Sequence, residues 1–350
     1  MKPIIRYSGA ATALLAMASL SACSSVAAAG PRSNKIAIVV ASTKQKFGVE
    51  MMGGFTEGAK DVAGVEVLAT GTELVDGPKQ VSIFEGLTAT HPGGITIFTI
   101  NPELFAPAQA AAGKQGVPLI SLDTPPAPSS NVELLVSNDN VELGRQLADT
   151  IAAQLPPDAQ GTIVVGTKSP GAQVLDERAQ GLREEFAKRL PGVTVLGPLD
   201  TKQDPGENLK AWRLLVKANK HALAFLGTGE DAGNLAKVRR ETKGKWLAGA
   251  VTSVHDALLA IKAGDLFAVS AEHWTEGMVA GRLQAQHATT GKELPTGWIM
   301  IPGLPITPDN VDEILARDAS TAGRNAWSRR MTDEILGDPQ TYLRPMPGDA

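Results

Sequence analysis

Short apolar runs rich in β-branched residues alternate along the first part of the chain with longer amphipathic stretches. The first four runs are 35–42, 65–70, 95–101 and 118–123, and helical patterns lie between them at 49–63, 76–90 and 103–115. Alternation of this kind is typical of βαβ units, whose strands form a parallel sheet. The pattern therefore predicts an α/β lobe in this part of the chain.

The alternation then starts again. Further strands are predicted at 132–138, 162–167, 193–199, 222–228, 246–252 and 267–272, with amphipathic helices between them. A last strand is predicted within 298–307, where Pro302 and Pro305 restrict it to a sheet edge or a crossover. Roughly 315 residues follow the N-terminal segment, which is more than one compact core normally covers.

The predicted fold class is therefore α/β, with two doubly wound parallel-sheet lobes joined by hinge crossovers near 138, 271 and 303. We expect the N-terminal lobe to cover 35–137 plus about 272–302, and the C-terminal lobe 138–271 plus about 303–320. A polar tail, 321–350, follows without a functional interpretation. Ligands of such sheets bind at the carboxyl ends of the strands, so two facing lobes would share one cleft.

The N-terminus has the pattern of an export signal. Lys2 and Arg6 precede an apolar run at 10–20, which is too short to span a membrane as a mature helix. The run ends in Leu20-Ser21-Ala22-Cys23, which resembles a bacterial lipobox, and Cys23 is the single cysteine of the chain. We expect residues 1–22 to be a lipoprotein signal peptide, Cys23 to carry the lipid, and 23–34 to be a tether. The alternative is an ordinary cleaved signal with an incidental cysteine.

Composition and motifs argue against several other classes. The net charge is −4 without a basic block, which argues against nucleic-acid binding. The five histidines have no metal-ligand spacing, and no G-x-S-x-G elbow is present, so no metal, cofactor or catalytic set is expected. The loop 227–233 has the spacing G-x-G-x-x-x-G, but Glu230 and Asp231 oppose a pyrophosphate there. Those two carboxylates are expected to stabilise the helix start instead.

Polar and aromatic side chains recur where the predicted strands end. Planar polar groups match neighbouring hydroxyls, and an aromatic face covers the apolar side of a sugar ring, so the expected ligand is a sugar or polyol. Each position also has a structural alternative, such as a helix cap, a hinge contact, a solvated helix face or a core contact. The candidate ligand-binding residues are Gln45, Phe47, Asn101, Asp123, Thr124, Asn138, Arg178, Thr228, Glu272 and Trp274.

Four stretches carry a resemblance to a known family. NPELFAPAQAAAGKQGVPLISLDT, SNDNVELGRQLADTIAAQL, DERAQGLREEF and ALLAIKAGD are similar to segments of ribose-binding-type periplasmic proteins, in the right order between about 35 and 310. The resemblance implies a type I periplasmic sugar-binding protein of an ABC importer. It further implies that the cleft is lined by Gln45, Phe47, Asn101, Asp123, Asn138 and Arg178.

The resemblance also implies partners and a location. We expect a monomer, anchored on the outer face of the cell membrane or in the periplasm, that delivers its ligand to an ABC permease and its ATPase. Thr252, Ala271 and Thr124 depart from the acidic residue, Gln and Arg that are usual in the family. Glu272, Glu230 or Asp231 are the candidates to replace them, and a modified ligand is then possible. Two alternatives stay open: a ligand-sensing lipoprotein that signals to a membrane receptor, and an exported α/β hydrolase.

Overall fold

The computed structural model describes residues 33–347. The predicted signal peptide, Cys23 and nearly all of the tether lie outside the described residues. Strands and helices alternate at the start of the described chain as the apolar pattern predicts. The first nine elements are β1 (Lys35–Val40), α1 (Lys46–Ala59), β2 (Glu66–Gly71), α2 (Gly77–Thr88), β3 (Gly94–Ile97), α3 (Pro102–Lys114), β4 (Leu119–Leu122), a 3-10 turn (Pro128–Ser130) and β5 (Leu134–Ser137).

A second set of alternating elements follows after residue 137. It consists of α4 (Asn140–Ala152), β6 (Gly161–Thr167), α5 (Gln173–Arg189), β7 (Val193–Asp200), α6 (Pro205–Ala218), β8 (Ala224–Gly227), α7 (Ala232–Thr242), β9 (Leu247–Val251), α8 (His255–Lys262) and β10 (Phe267–Ser270). The chain then continues through α9 (His273–Thr290), β11 (Gly297–Met300), β12 (Leu304–Ile306), α10 (Val311–Asp318), α11 (Thr321–Gly337), α12 (Pro339–Tyr342) and β13 (Leu343–Arg344).

The strands form two sheets, and each sheet is the centre of one lobe. The first sheet has the order β2-β1-β3-β4-β5-β11-β13, and the second has the order β7-β6-β8-β9-β10-β12. Neighbouring strands are parallel except for β13 and β12, which join their sheets antiparallel at one edge. The predicted fold class, two parallel-sheet α/β lobes, is confirmed.

The central strands are buried on both faces, which explains why they read as continuous apolar runs rather than as alternating ones. β3, β4, β5 and β8 have no exposed residue. Helices cover both sides of each sheet, and a separate apolar cluster fills each of the four sheet faces. This packing fixes the carboxyl ends of the strands, where the candidate site lies.

The chain passes between the sheets once more than the sequence predicts. It crosses after β5, after β10 and between β11 and β12, near the three predicted positions. The segment predicted as one strand at 298–307 is therefore two strands in different sheets. A fourth passage lies between α10, which packs on α8 of the second lobe, and α11, which packs on α9 and α1 of the first. The C-terminal segment thus returns to the first lobe.

Glycines allow α1 and α9 to pack closely in the first lobe. A Cβ atom on Gly54 would lie 2.0 Å from the carbonyl oxygen of Trp274, and one on Gly58 would lie 2.1 Å from that of Met278. Gly277 and Gly281 meet α1 in the same way from the other side. This contact holds the first turn of α9 against the start of the first lobe.

Among the described residues, no helix combines the length and apolar character needed to cross a membrane.

Candidate functional site

Asp123 lies at the carboxyl end of β4, where the chain makes a sharp turn. Its backbone is left-handed, with φ at 60°, and its N–H donates to the carbonyl oxygen of Val136 on the neighbouring strand at 2.9 Å. Short polar residues tolerate this conformation better than most others. The turn directs a carboxylate that is only 2% exposed into the region between the two sheets.

Arg178 projects from α5 of the second lobe and is held by two contacts. Its Nε donates to Oδ1 of Asn140 at 2.7 Å, and its Nη1 donates to the carbonyl oxygen of Thr228 at 3.3 Å. Burial lowers the pKa of Arg178, while the charges of Asp123 and Glu276 raise it. The guanidinium is therefore fixed close to two carboxylates that come from the first lobe.

Glu276 and His273 extend the site along the first turn of α9. Oε1 of Glu276 accepts a hydrogen bond from the backbone N–H of Asn138 at 3.0 Å. Burial and the nearby charge of Asp123 raise the pKa of Glu276 well above its ordinary value. Burial, followed by the charges of Arg178 and Lys46, lowers the pKa of His273 to about 3, so its ring is neutral. Burial also raises the pKa of Asp123, and Arg178 opposes this shift.

Several buried polar atoms of the site have no hydrogen-bond partner within residues 33–347. Buried polar groups in folded proteins are nearly always hydrogen-bonded, so a cluster of exceptions indicates a place where a polar ligand binds. The atoms come from both lobes. They are Asp123 Oδ1, Thr124 Oγ1, Asn138 Oδ1, Thr228 Oγ1 and Glu276 Oε2.

Of the residues that the sequence predicts to bind ligand, Asp123, Asn138, Arg178 and Thr228 are linked through Glu276 and Arg178. Thr124 follows Asp123 directly, and its buried Oγ1 has no hydrogen-bond partner within residues 33–347. Asn138 also donates through Nδ2 to the carbonyl oxygen of Ala271, so it joins two of the crossovers. The side chain of Asn138 therefore has both roles: Nδ2 makes a hinge contact, and Oδ1 belongs to the candidate site.

Three predicted residues, Gln45, Phe47 and Asn101, lie outside the buried polar cluster. Gln45 is the N-cap residue of α1, and Phe47 packs edge-to-face on Phe98 with the ring centroids 5.3 Å apart. Asn101 is exposed and caps α3 by accepting from the N–H of Leu104 at 3.4 Å. Asn101 and Lys168 of the second lobe line one groove of about 740 Å³. Asn101 therefore borders a groove that both lobes line.

Glu272 and Trp274 contact the C-terminal segment, contrary to their predicted place in the cleft. Glu272 accepts from Nη1 of Arg317 at 2.9 and 3.0 Å and from Nε1 of Trp327 at 3.2 Å. Trp274 donates through Nε1 to Oδ1 of Asn325 at 3.0 Å. Arg317 lies in α10, whereas Trp327 and Asn325 lie in α11 of the tail, for which the sequence gives no functional interpretation. These two helices engage both side chains.

Asp231 is also placed differently from its prediction. Its side chain does not cap α7, and its Oδ1 accepts from Oγ1 of Thr201, Nδ2 of Asn208 and Nε1 of Trp212 at 2.8, 2.9 and 3.1 Å. Asp231 is thus part of a buried network within the second lobe. Of the acidic residues proposed to replace the usual ones, Glu272 and Asp231 are engaged elsewhere, and Glu276 lies in the site instead.

Sequence reasoning missed Glu276 and His273 as site residues. Both lie just after the end of β10, and their spacing of three places them on one side of α9. The spacing was visible in the sequence, but the direction of that helix face depends on the packing of α9 against α1.

Comparison with known proteins agrees with the two-lobed architecture. A family model described as a periplasmic binding protein domain matches residues 36–293. The chain belongs to the periplasmic binding protein family. This match confirms the resemblance that the four sequence stretches indicate. Curated relatives are similar to this binding protein over most of its sequence.

One relative is the ribose import binding protein RbsB of Haemophilus influenzae, which is 26% identical over 250 residues, covering 71% of this chain and 82% of that protein. The xylitol-binding protein of Mycolicibacterium smegmatis is 25% identical over 288 residues, covering 77% and 79%. Among solved structures, an Agrobacterium vitis solute binding protein bound to α-D-tagatopyranose matches with a TM-score of 0.72 at 22% identity, covering 82% of this chain and 97% of that one. This structural match establishes the shared fold.

Proposed function

We propose that this periplasmic binding protein captures a sugar or polyol between its two lobes and delivers it to an ABC permease. The observation that carries the proposal is the convergence of buried polar side chains from both lobes. Asp123 and Glu276 come from the first lobe, and Arg178 and Thr228 come from the second. Relatives described as binding ribose, allose and xylitol support a polyhydroxylated ligand.

The chemistry of the site suits such a ligand. A hydroxyl group both donates and accepts, so one ring or chain of hydroxyls satisfies carboxylate acceptors on one side and a guanidinium donor on the other. Arg178 is positioned before the ligand arrives by Asn140 and by the carbonyl oxygen of Thr228, which lowers the entropy cost of binding.

Contacts with both lobes explain how binding is linked to closure. A ligand that is gripped by Asp123 and Arg178 together makes its full set of bonds only when the lobes are close. Binding therefore shifts the population toward the closed form, with hinge motion at the crossovers between the sheets. A membrane permease then recognises the closed form, and its ATPase drives transport.

Export and lipid attachment complete the proposal. The basic start, the apolar run and the Leu20-Ser21-Ala22-Cys23 motif support a lipoprotein that is anchored through Cys23. Expression of the full chain in a bacterial host with labelled fatty acid tests this point. We expect the label in the wild-type chain and its loss in the Cys23→Ser variant; an unlabelled wild-type chain would refute the anchor.

A thermal-shift screen of residues 24–350 against sugars and polyols tests ligand capture. Residues from Ser33 onward form one compact unit, so this fragment retains the lobes. A ligand at about 100 times its Kd stabilises the folded state by about 2.7 kcal/mol, which for a protein of this size raises Tm by roughly 4–6 °C.

Matched variants locate the binding. Asp123→Ala should abolish the shift, because it removes a buried acceptor that faces the ligand. Asp158→Ala removes an exposed carboxylate of the same type and should leave the shift unchanged. A full shift in the Asp123→Ala variant would show that the ligand binds elsewhere.

A further inference from the structure

Three side chains at the first-lobe end of the site place their ligand atoms next to one another. One carboxylate oxygen of Asp123, one of Glu276 and a ring nitrogen of His273 all lie within 4.8 Å of one another. Asp123 is 2% exposed and Glu276 is fully buried. We call these three residues the acceptor triad.

Each member of the triad presents an acceptor. The carboxylates accept through both oxygens, and a neutral imidazole accepts through one nitrogen. His273 is neutral because burial and the nearby cations Arg178 and Lys46 lower its pKa. Asp123 Oδ1 and Glu276 Oε2 have no hydrogen-bond partner in the described part of the chain. No donor of the described residues reaches either of these two carboxylate oxygens.

The surrounding cations are committed to other groups. Lys46 pairs with Glu50, and Arg317 pairs with Glu272. Arg178 donates to Asn140 and Thr228 and forms no ion pair with either carboxylate of the triad within residues 33–347. Asp123 and Glu276 are therefore two buried carboxylates near a single positive charge, that of Arg178. Burial of a carboxylate without a compensating charge costs free energy. A positive charge at the triad would remove that cost.

We propose that the acceptor triad binds the protonated amine of an aminated sugar or polyol, an inference that rests on the proposed function. A primary ammonium group carries three N–H donors and no acceptor, whereas a hydroxyl group carries one donor. Three converging acceptors therefore match an ammonium group better than a single hydroxyl. The hydroxyl groups of the same ligand extend toward Arg178, which has donors only.

A divalent metal ion is the other cation that an Asp, His and Glu could hold. The charge of Arg178 acts on all three groups of the triad, and it repels a doubly charged ion more strongly than a singly charged one. The site has carboxylates at one end and a guanidinium at the other. This arrangement instead fits a ligand with an amine at one end and hydroxyl groups along its length.

Calorimetric titration of the mature chain with matched ligand pairs tests the inference. The amines are D-glucosamine, D-galactosamine and 1-amino-1-deoxy-D-sorbitol, and their neutral partners are D-glucose, D-galactose and D-sorbitol. We expect at least one amine to bind tenfold or more tightly than its neutral partner. If the neutral compounds bind as well as the amines, the inference is overturned while the proposed function stands. If no amine binds while the thermal-shift screen finds a neutral sugar or polyol, the inference alone is overturned. If neither experiment finds a ligand, the proposed function is overturned as well.

Variants assign the preference to the triad. Glu276→Gln keeps an oxygen that accepts from the N–H of Asn138 but removes the charge, so the preference for the amine should fall at least tenfold. Glu184→Gln makes the same change on an exposed residue of α5 and should retain the preference. An amine preference that survives Glu276→Gln, or stoichiometric Zn²⁺ binding that this variant abolishes, would overturn the assignment.

Discussion

Replacement of Arg317 by Met should destabilise the protein strongly, because this residue joins the C-terminal segment to the hinge. Its side chain and that of Glu272 are each 8% exposed, and its Nη1 contacts both oxygens of that carboxylate. Its guanidinium also lies 5.4 Å from the ring centroid of Trp327. Removal of one partner of a buried ion pair leaves the other charge uncompensated, which typically costs about 3–5 kcal/mol.

Thermal denaturation of the ligand-free protein measures this loss. For a chain of this length, each kcal/mol lowers Tm by roughly 2 °C, so Arg317→Met should lower Tm by about 6–10 °C. Glu272→Gln should remove most of the same interaction. The double variant should then lose clearly less stability than the sum of the two single losses, because each removes the partner of the other.

The matched control is Lys210→Met, which breaks the exposed pair between Lys210 and Glu207 on α6. Exposed pairs contribute about 0–1 kcal/mol, so its Tm should change by no more than about 2 °C. If Arg317→Met and Lys210→Met had equal effects, the buried pair would contribute no more than a surface pair. The view that it fastens the C-terminal segment would then be refuted.

Three further outcomes follow from the site and the helix packing. Arg178→Lys should weaken ligand binding about 10–100-fold, measured by calorimetry. Lysine lacks the planar fork of donors that holds the guanidinium at a fixed angle between Asn140 and the carbonyl oxygen of Thr228. Unchanged affinity would contradict the role of that fixed geometry. The pKa of Glu276 is raised above its ordinary 4.5, so the folded protein binds this proton more tightly than the unfolded chain, and stability should fall as pH rises above 4.5. The gain in Tm from Glu276→Gln should therefore increase between pH 4 and 8, and a pH-independent difference would exclude the shift. Gly58→Ala should lower the free energy of unfolding by about 1–3 kcal/mol in chemical denaturation, because the added methyl group forces α1 away from α9. Gly86→Ala in α2 is the control: its methyl group meets open space and should raise the free energy of unfolding by about 0.5–1 kcal/mol. Equal effects of the two variants would refute the packing argument.

The lobes were predictable because buried parallel strands leave a strong trace in the sequence. Strands covered on both faces read as continuous β-branched and apolar runs, and helices separate them at regular intervals. The path of the chain near the end was harder to predict. The run at 298–307 continues through Gly303, and only pairing with two different sheets shows that it forms β11 and β12.

Some candidate site residues could likewise be placed from the sequence, and others could not. Asp123, Asn138 and Thr228 follow strands directly, so the strand pattern alone places them at the carboxyl ends of the strands, the first two in one sheet and Thr228 in the other. Glu272 and Trp274 also follow a strand, but their partners Arg317 and Asn325 lie 45 and 51 residues later in the chain. A local pattern cannot show that a distant helix covers a strand end, so the sequence alone places both residues in the cleft.

The return of the C-terminal segment to the first lobe has a consequence for the order of folding. The sheet that begins with β1 near residue 35 is completed at its far edge by β13 at Leu343–Arg344, after the whole second lobe has been synthesised. The first lobe therefore cannot reach its final form on a nascent chain. A chain that stops before β13 would leave β11 as an unpaired edge, where another polypeptide could add a strand.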